Sequence, residues 1–152
     1  MKAILQRCKS ASVTSDGKLL GSCGRGLMIL LGVAKGDTVT DAELLAAKIS
    51  KLRIFDDPDG KLNFSIKDVG GSALVVSNFT LLANYAKGNR PDYFGAESPA
   101  EADRLYQYFA ACLRDLGVHT ETGQFGADME ISLVNDGPVT IDMDSSVLKK
   151  QP

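Results

Sequence analysis

The sequence contains no tryptophan, a single histidine and three cysteines. Cys8, Cys23 and Cys112 form no CxxC pair, which excludes the usual thiolate zinc site and the redox dithiol motif. They read as small buried hydrophobes in a reducing compartment. The lone histidine, His119, follows Gly117-Val118 and is expected to begin a strand. As a general base it would need a hydroxyl or thiol partner and an orienting carboxylate, so a structural or surface role is the expectation. A basic excess is also missing: 17 Lys and Arg stand against 19 Asp and Glu, a formal charge of −2. That excludes a broad nucleic-acid footprint and leaves room only for a small local contact, with no DNA partner expected. The apolar run Leu27–Leu31 is far too short to span a bilayer, and Lys2 and Arg7 interrupt any signal-peptide core. The expectation is a cytoplasmic protein with no membrane partner. GxxxxGK[ST], GxGxxG after a strand and HExxH are all absent, so no cofactor and no metal are expected. Asp56-Asp57-Pro58-Asp59-Gly60 fails as a calcium loop, because Phe55 and Ile66 fall where carboxylates are required, and it reads as a solvated turn.

What is present is ordinary globular composition. The chain has 152 residues, 44% apolar and 24% charged, which fits one domain over residues 1–152 with a core of its own. Residues 2–34 read as strands, with Asp16-Gly17 as a hairpin turn. Leu27–Val33 is apolar on both faces, as a central strand is. A helix follows, with Thr40 as its cap, Glu43 closing a capping box, and Leu44, Leu45, Ile49 and Leu52 on one face. A second helix opens at Ser98-Pro99, with Glu101 completing a box; Ala102, Leu105, Phe109, Cys112, Leu113 and Leu116 form its stripe, and Gly117 ends it. Ala73–Val76 is a short buried strand. Met129, Ile131 and Leu133 alternate with polar neighbours in another, and Val139-Thr140-Ile141 makes one more. The fold class is α+β: a mostly antiparallel sheet or barrel-like sandwich carrying two main helices, with a loose tail over Lys149–Pro152.

Two segments carry unusual chemistry. Ser77-Asn78-Phe79-Thr80-Leu81 sets hydrogen-bonding side chains at the end of a buried strand, where they either satisfy a turn or face a ligand. Asn135-Asp136-Gly137-Pro138-Val139-Thr140 joins two strands and is rich in turn formers. A cis Gly-Pro bond there would direct two backbone carbonyls together as rigid acceptors.

Together these segments resemble the two motifs of the D-aminoacyl-tRNA deacylases, Ser-Gln-Phe-Thr-Leu and Asn-x-Gly-Pro-Val-Thr. Matching stretches follow in the family's order: Gln6-Arg7, Ser10–Val13, Leu52–Phe55, Lys87-Gly88-Asn89-Arg90-Pro91 and Thr122–Met129. The resemblance covers almost the whole chain. It implies an α+β homodimer with active sites at the subunit interface. The implied activity is hydrolysis of the ester between a D-amino acid, or glycine, and the 3′ end of tRNA. It implies a cis Gly137-Pro138 inserted into the partner's pocket, where its carbonyls reject L-amino acids, with Arg7 holding the pair in place. Asn78, Asn135 and Thr140 then belong to the substrate site with Gly137, Pro138 and Arg7. Ser77, Phe79 and Thr80 belong to the catalytic group, and Lys87 and Arg90 meet the acceptor end of the tRNA.

Two mechanisms stay open. Thr80 is a nucleophile in need of a base, or the ribose 2′-hydroxyl helps activate water while backbone N–H groups near Phe79 and Thr80 hold the oxyanion. The second is preferred, since an activated ester needs less help than an amide. Asn78 departs from the family's Gln and has a shorter reach, and Asn84-Tyr85-Ala86 also departs from typical members. The competing readings are a related deacylase with relaxed chirality that admits small L-aminoacyl esters, and a non-catalytic module that binds RNA ends.

Overall fold

Asp16 and Gly17 both take positive φ, 51° and 74°, and the chain reverses there between β1 (Lys2–Ser15) and β2 (Lys18–Cys23). These are the signs that a two-residue hairpin loop needs to match the twist of its strands. In the computed structural model, which describes residues 1–149, β3 (Gly26–Gly32) returns along the first half of β1, pairing Lys2 with Gly32 and Cys8 with Gly26.

The other edge of β1 is taken along its length by β8 (Glu130–Asp144), from Lys2↔Asp144 to Thr14↔Glu130. Its composition predicts two strands joined by a turn at Asn135–Pro138. The structure has one strand instead. The turn formers are absorbed as irregularities opposite Gln6–Ser10, because both flanks keep their antiparallel pairing with β1.

β6 (Ser72–Ser77) lies parallel to β3, and β7 (His119–Thr122) lies parallel to β6. The main sheet is therefore mixed, with its antiparallel pairs all on β1. The sheet curls until β2 meets β7. Gly21 sits so close to the Thr122 carbonyl that a Cβ there would approach to 2.6 Å, and the Ser22 N–H reaches Glu121 Oε1 at 3.1 Å. A separate two-stranded ribbon, β4 (Phe55–Asp56) and β5 (Leu62–Phe64), encloses the turn at Asp57–Gly60.

The N-cap of α1 (Val39–Lys51) lies two residues before the expected one. Thr38 is the N-cap, and its N–H donates to Asp41 Oδ2 at 2.8 Å. Thr40 falls inside the first turn, and the Glu43 carboxylate accepts the Tyr108 hydroxyl at 2.6 Å instead of closing a box. α2 (Pro99–Asp115) opens at Ser98-Pro99 as expected, but Glu101 pairs with Arg104 rather than capping. Gly117, at φ 90°, ends it. Lys149, expected in a loose tail, closes a short α3 (Ser145–Lys149) and pairs with Asp41 at 2.8 Å. Residues 150–152 of that tail lie outside the described residues.

The helices cover one face of the sheet. Leu27, Ile29 and Leu31 of β3 and Ala73 and Val75 of β6 pack with Leu45, Ile49, Leu105 and Phe109 on that side. Met28, Leu74 and Val76 point the other way, into a second cluster with Cys8, Val13 and Cys23. Leu27–Leu31 is apolar on both faces because β3 is walled on both. Among the described residues no helix is long and apolar enough to cross a membrane.

Candidate active site

Parallel strands end in a row, and their carboxyl ends are where open sheets commonly leave a crevice. β6 ends this way. The Asn78 N–H donates to the Leu31 carbonyl at 2.8 Å, and the chain then leaves the sheet in a single 3-10 turn over Phe79–Leu82. Beside that exit lies a cavity of about 840 Å³. Val76, Leu30, Phe125, Met129 and Ile131 supply apolar walls, and Ser77, Asn78 and Phe79 form one rim. Opposite them stand Tyr93, Glu97 and the start of α2 at Ser98 and Pro99. The Tyr93 ring meets Phe79 edge-on at 5.1 Å.

The rim is organised by one amide. Asn78 Oδ1 accepts the Thr80 N–H at 3.2 Å and also accepts the Thr80 hydroxyl. Asn78 is thereby the N-cap of the turn. The Thr80 side chain is exposed and lies outside the cavity lining. Its hydroxyl donates to an amide oxygen, which is no base at neutral pH. The Phe79 N–H, the other orphan donor of this short turn, has no hydrogen-bond partner among the described residues. Among those residues no cluster of three His, Cys, Asp or Glu side chains is placed to hold a metal. His119 is far from this rim in the fold, exposed on β7 and bonded to Glu121 at 3.2 Å.

The second motif occupies another place. The Gly137-Pro138 peptide is cis, and Gly137 has φ 123°. Both residues are exposed on β8. Beneath them is Arg7, only 5% exposed. Its Nε donates to the Asp136 carbonyl at 3.1 Å, and its Nη1 donates to the Ile54 carbonyl at 3.0 Å. The Asp56 and Asp136 carboxylates lie at 3.5 Å, so the buried charge is compensated. Asn135 Nδ2 donates to the Arg7 and Val139 carbonyls at 3.1 and 3.3 Å. The Thr140 hydroxyl donates to Gln6 Oε1 at 2.6 Å. Asn135, Gly137, Pro138, Thr140 and Arg7 thus form one unit, and none of them lines the cavity of the same chain.

Lys87 and Arg90 are exposed on a loop whose neck is closed by two backbone bonds between Asn84 and Asp92. Neither enters an ion pair among the described residues. Sequence reasoning did not single out the aromatic walls Tyr93 and Phe125 or the rim carboxylate Glu97. Tyr93 and Glu97 sit on an irregular segment without periodicity, and only their assembly around the cavity marks them.

The profile of the family described as D-Tyr-tRNA(Tyr) deacylase matches residues 4–144. A protein of Cereibacter sphaeroides (strain ATCC 17029 / ATH 2.4.9), named D-aminoacyl-tRNA deacylase, is 54% identical over 145 residues, covering 95% of this chain and 100% of its own. A protein of the same name from Thermomicrobium roseum is 55% identical over 149 residues, covering 98% and 97%. Among solved structures, one titled c-Myc DNA Unwinding Element Binding Protein superposes with a TM-score of 0.88 at 39% identity, covering 95% of this chain and 98% of that one. Another, titled as a probable eukaryotic D-amino acid tRNA deacylase, superposes at 0.79 over 93% and 97%; at 16% identity it speaks for the fold alone. A profile match over residues 4–144, joined to relatives more than half identical along nearly the full length of both chains, makes this chain a member of the D-aminoacyl-tRNA deacylase family.

Proposed function

We propose that this chain hydrolyses the ester between a D-amino acid, or glycine, and the 3′ ribose of tRNA, releasing free tRNA and amino acid. The observation that carries this reading is the apolar cavity of about 840 Å³ whose polar rim is Ser77-Asn78-Phe79. Apolar walls accept many side chains without gripping one. The discrimination must then come from the groups around the α-carbon.

In this reading the oxyanion is held by the free Phe79 N–H, with Ser77 at its side. The Thr80 N–H is already engaged by Asn78. Asn78 fixes the turn that aims the donor. Thr80 is a positioning residue, and the neighbouring ribose 2′-hydroxyl helps activate water. Pre-aimed donors and a held ester supply the catalysis, since an activated ester needs little more.

The chiral filter is the exposed carbonyl pair of Gly137 and Pro138 from a second copy, clamped by Arg7 and Asn135, with Thr140 fixing the strand alongside. In one chain that unit and the cavity are separate, and a homodimer joins them. The carbonyls leave no room for an L side chain and ignore glycine, so selection works by exclusion. Lys87 and Arg90 meet phosphates of the acceptor end, in a cytoplasmic setting, through a shallow salt dependence.

The test is hydrolysis of D-tyrosyl-tRNA and L-tyrosyl-tRNA by the purified protein without added metal. Loss of the D ester alone is the expected result. Loss of both makes the filter inoperative, and binding with loss of neither makes the chain a module for RNA ends.

A further inference from the structure

Phe79 in the 3-10 turn and three more aromatic residues between that turn and α2 are exposed. Tyr85 is 79% and Phe94 77% exposed, and Phe79 and Tyr93 are 58% and 36% exposed. Phe79 and Tyr93 are accounted for by the cavity they line. Tyr85 and Phe94 are not: neither lines the cavity, and neither is packed in a core cluster. Two backbone bonds between Asn84 and Asp92 close a neck next to both of them. Tyr85 is the first residue inside the neck. Tyr93 and Phe94 follow directly outside it, and the same loop carries Lys87 and Arg90. One large exposed ring on the tied loop and another just past its neck, with two cations between them that enter no ion pair among the described residues, have the composition of a stacking platform for single-stranded nucleic acid.

We propose that Tyr85 and Phe94 stack the unpaired bases that precede the terminal nucleoside of the RNA, while Lys87 and Arg90 contact the phosphates between them. This rests on the functional reading above, in which the terminal nucleoside carries its ester into the adjacent cavity. The platform lies one step further out. It explains how a chain with net charge −2 grips a polyanion: the contact is a short stack with two local cations rather than a basic face. Stacking offers every base the same ring, so the platform is indifferent to base identity and measures only that the end is single-stranded.

The experiment compares two substrates on the full chain. With D-tyrosyl-tRNA, Tyr85→Ala and Phe94→Ala each raise KM roughly tenfold, the range expected for one lost base stack. With the D-tyrosyl ester of adenosine alone, which is too short to reach the platform, kcat and KM keep their wild-type values. Tyr85→Phe restores the tRNA KM, since it retains the ring. Equal losses on both substrates would mean that the rings only shape the cavity, and no loss on either would mean that nothing stacks there; both overturn the proposal.

Binding of an uncharged RNA hairpin, with and without a four-nucleotide 3′ overhang, separates this proposal from the catalytic reading. The expected result is tighter binding of the overhang by wild type and loss of that preference in the double alanine variant, whether or not the ester is cleaved. Equal binding of both hairpins by wild type overturns the proposal and leaves the hydrolysis untouched. A shift of the double variant from dimer to monomer by light scattering would assign the rings to the subunit interface and overturn it as well.

Discussion

The Thr80 hydroxyl donates to Asn78 Oδ1, the same oxygen that receives the Thr80 N–H at 3.2 Å. Both polar handles of Thr80 are therefore committed to holding a turn, and among the described residues no base is hydrogen-bonded to the hydroxyl. Thr80→Val is expected to keep hydrolysis of D-tyrosyl-tRNA within about tenfold, or about 1.4 kcal/mol of barrier, with no acyl-enzyme seen by mass spectrometry after rapid quench. Asn78→Ala is expected to cost more activity than Thr80→Val, because it also removes the cap, which is worth about 1 kcal/mol. A thousandfold loss in Thr80→Val, together with a trapped acyl-enzyme in wild type, would return the nucleophile to Thr80.

Arg7 bridges two backbone carbonyls, those of Asp136 and Ile54, from a buried position. A lysine carries one point charge and cannot span both. Arg7→Lys is expected to lower stability by about 1–3 kcal/mol and to narrow the ratio of D to L ester hydrolysis, because the Gly137 corner loses its clamp. Urea unfolding and paired initial rates measure the two effects. An unchanged ratio would detach Arg7 from the filter.

Gly137 occupies φ 123°, and a Cβ there would stand 3.0 Å from Arg7 Nη2 and 3.1 Å from the Val139 nitrogen. An L side chain is strained at that φ and crowded by backbone. Gly137→Ala is expected to lose about 1–3 kcal/mol and most of the preference for D esters, read as a lower melting temperature and a fall in the D to L ratio. The control is Gly36→Ala: that glycine also has positive φ, 87°, but open space around it. It should share the strain and keep the preference.

Asp41 is buried, which by itself would raise its carboxyl. Hydrogen bonds from Lys149, Ser145 and the Thr38 N–H, with the charge of the chain's amino group, outweigh that and hold it at about 2. An unfolded aspartate titrates near 3.9, so the ionised form is favoured by folding. The contribution, about 2–3 kcal/mol, is fully present above about pH 5 and is lost as pH falls through about 2. Asp41→Asn is expected to remove it at neutral pH and to flatten the acid limb of stability between about pH 5 and 2. A series of urea melts across that window decides it.

Local chemistry was readable from the chain. Asp16-Gly17 demanded a hairpin, Ser98-Pro99 a helix start, and the spacing of Leu105, Phe109 and Leu113 a buried stripe, because each depends on a few neighbouring residues. Asn135–Pro138 misled for the same reason: as a local string it is a turn, and only the pairing of both its flanks with β1 keeps it inside a strand. The cap of α1 moved to Thr38 because Asp41 is held from the far end of the chain by Ser145 and Lys149. The parallel pairing of β3 with β6 and of β6 with β7 is long-range and left no local mark. The motif Ser77–Leu81 was visible as a string of polar groups. That Asn78 occupies both handles of Thr80, and that Phe79 keeps a free donor, needed coordinates.

The pairing of β1 with β8 has a consequence for how the chain comes into being. The strand made first is bordered along its length by one of those made last. During synthesis β1, β2 and β3 can form their hairpins early, but one whole edge of β1 stays open until Glu130–Asp144 has emerged from the ribosome. Contacts between distant parts of the chain close slowly. An open edge is a place where other chains pair. The strand that carries Gly137 and Pro138 therefore also acts as the sheet's closing seam, and a nascent chain cut short before it would be left with a sticky edge as well as without that pair.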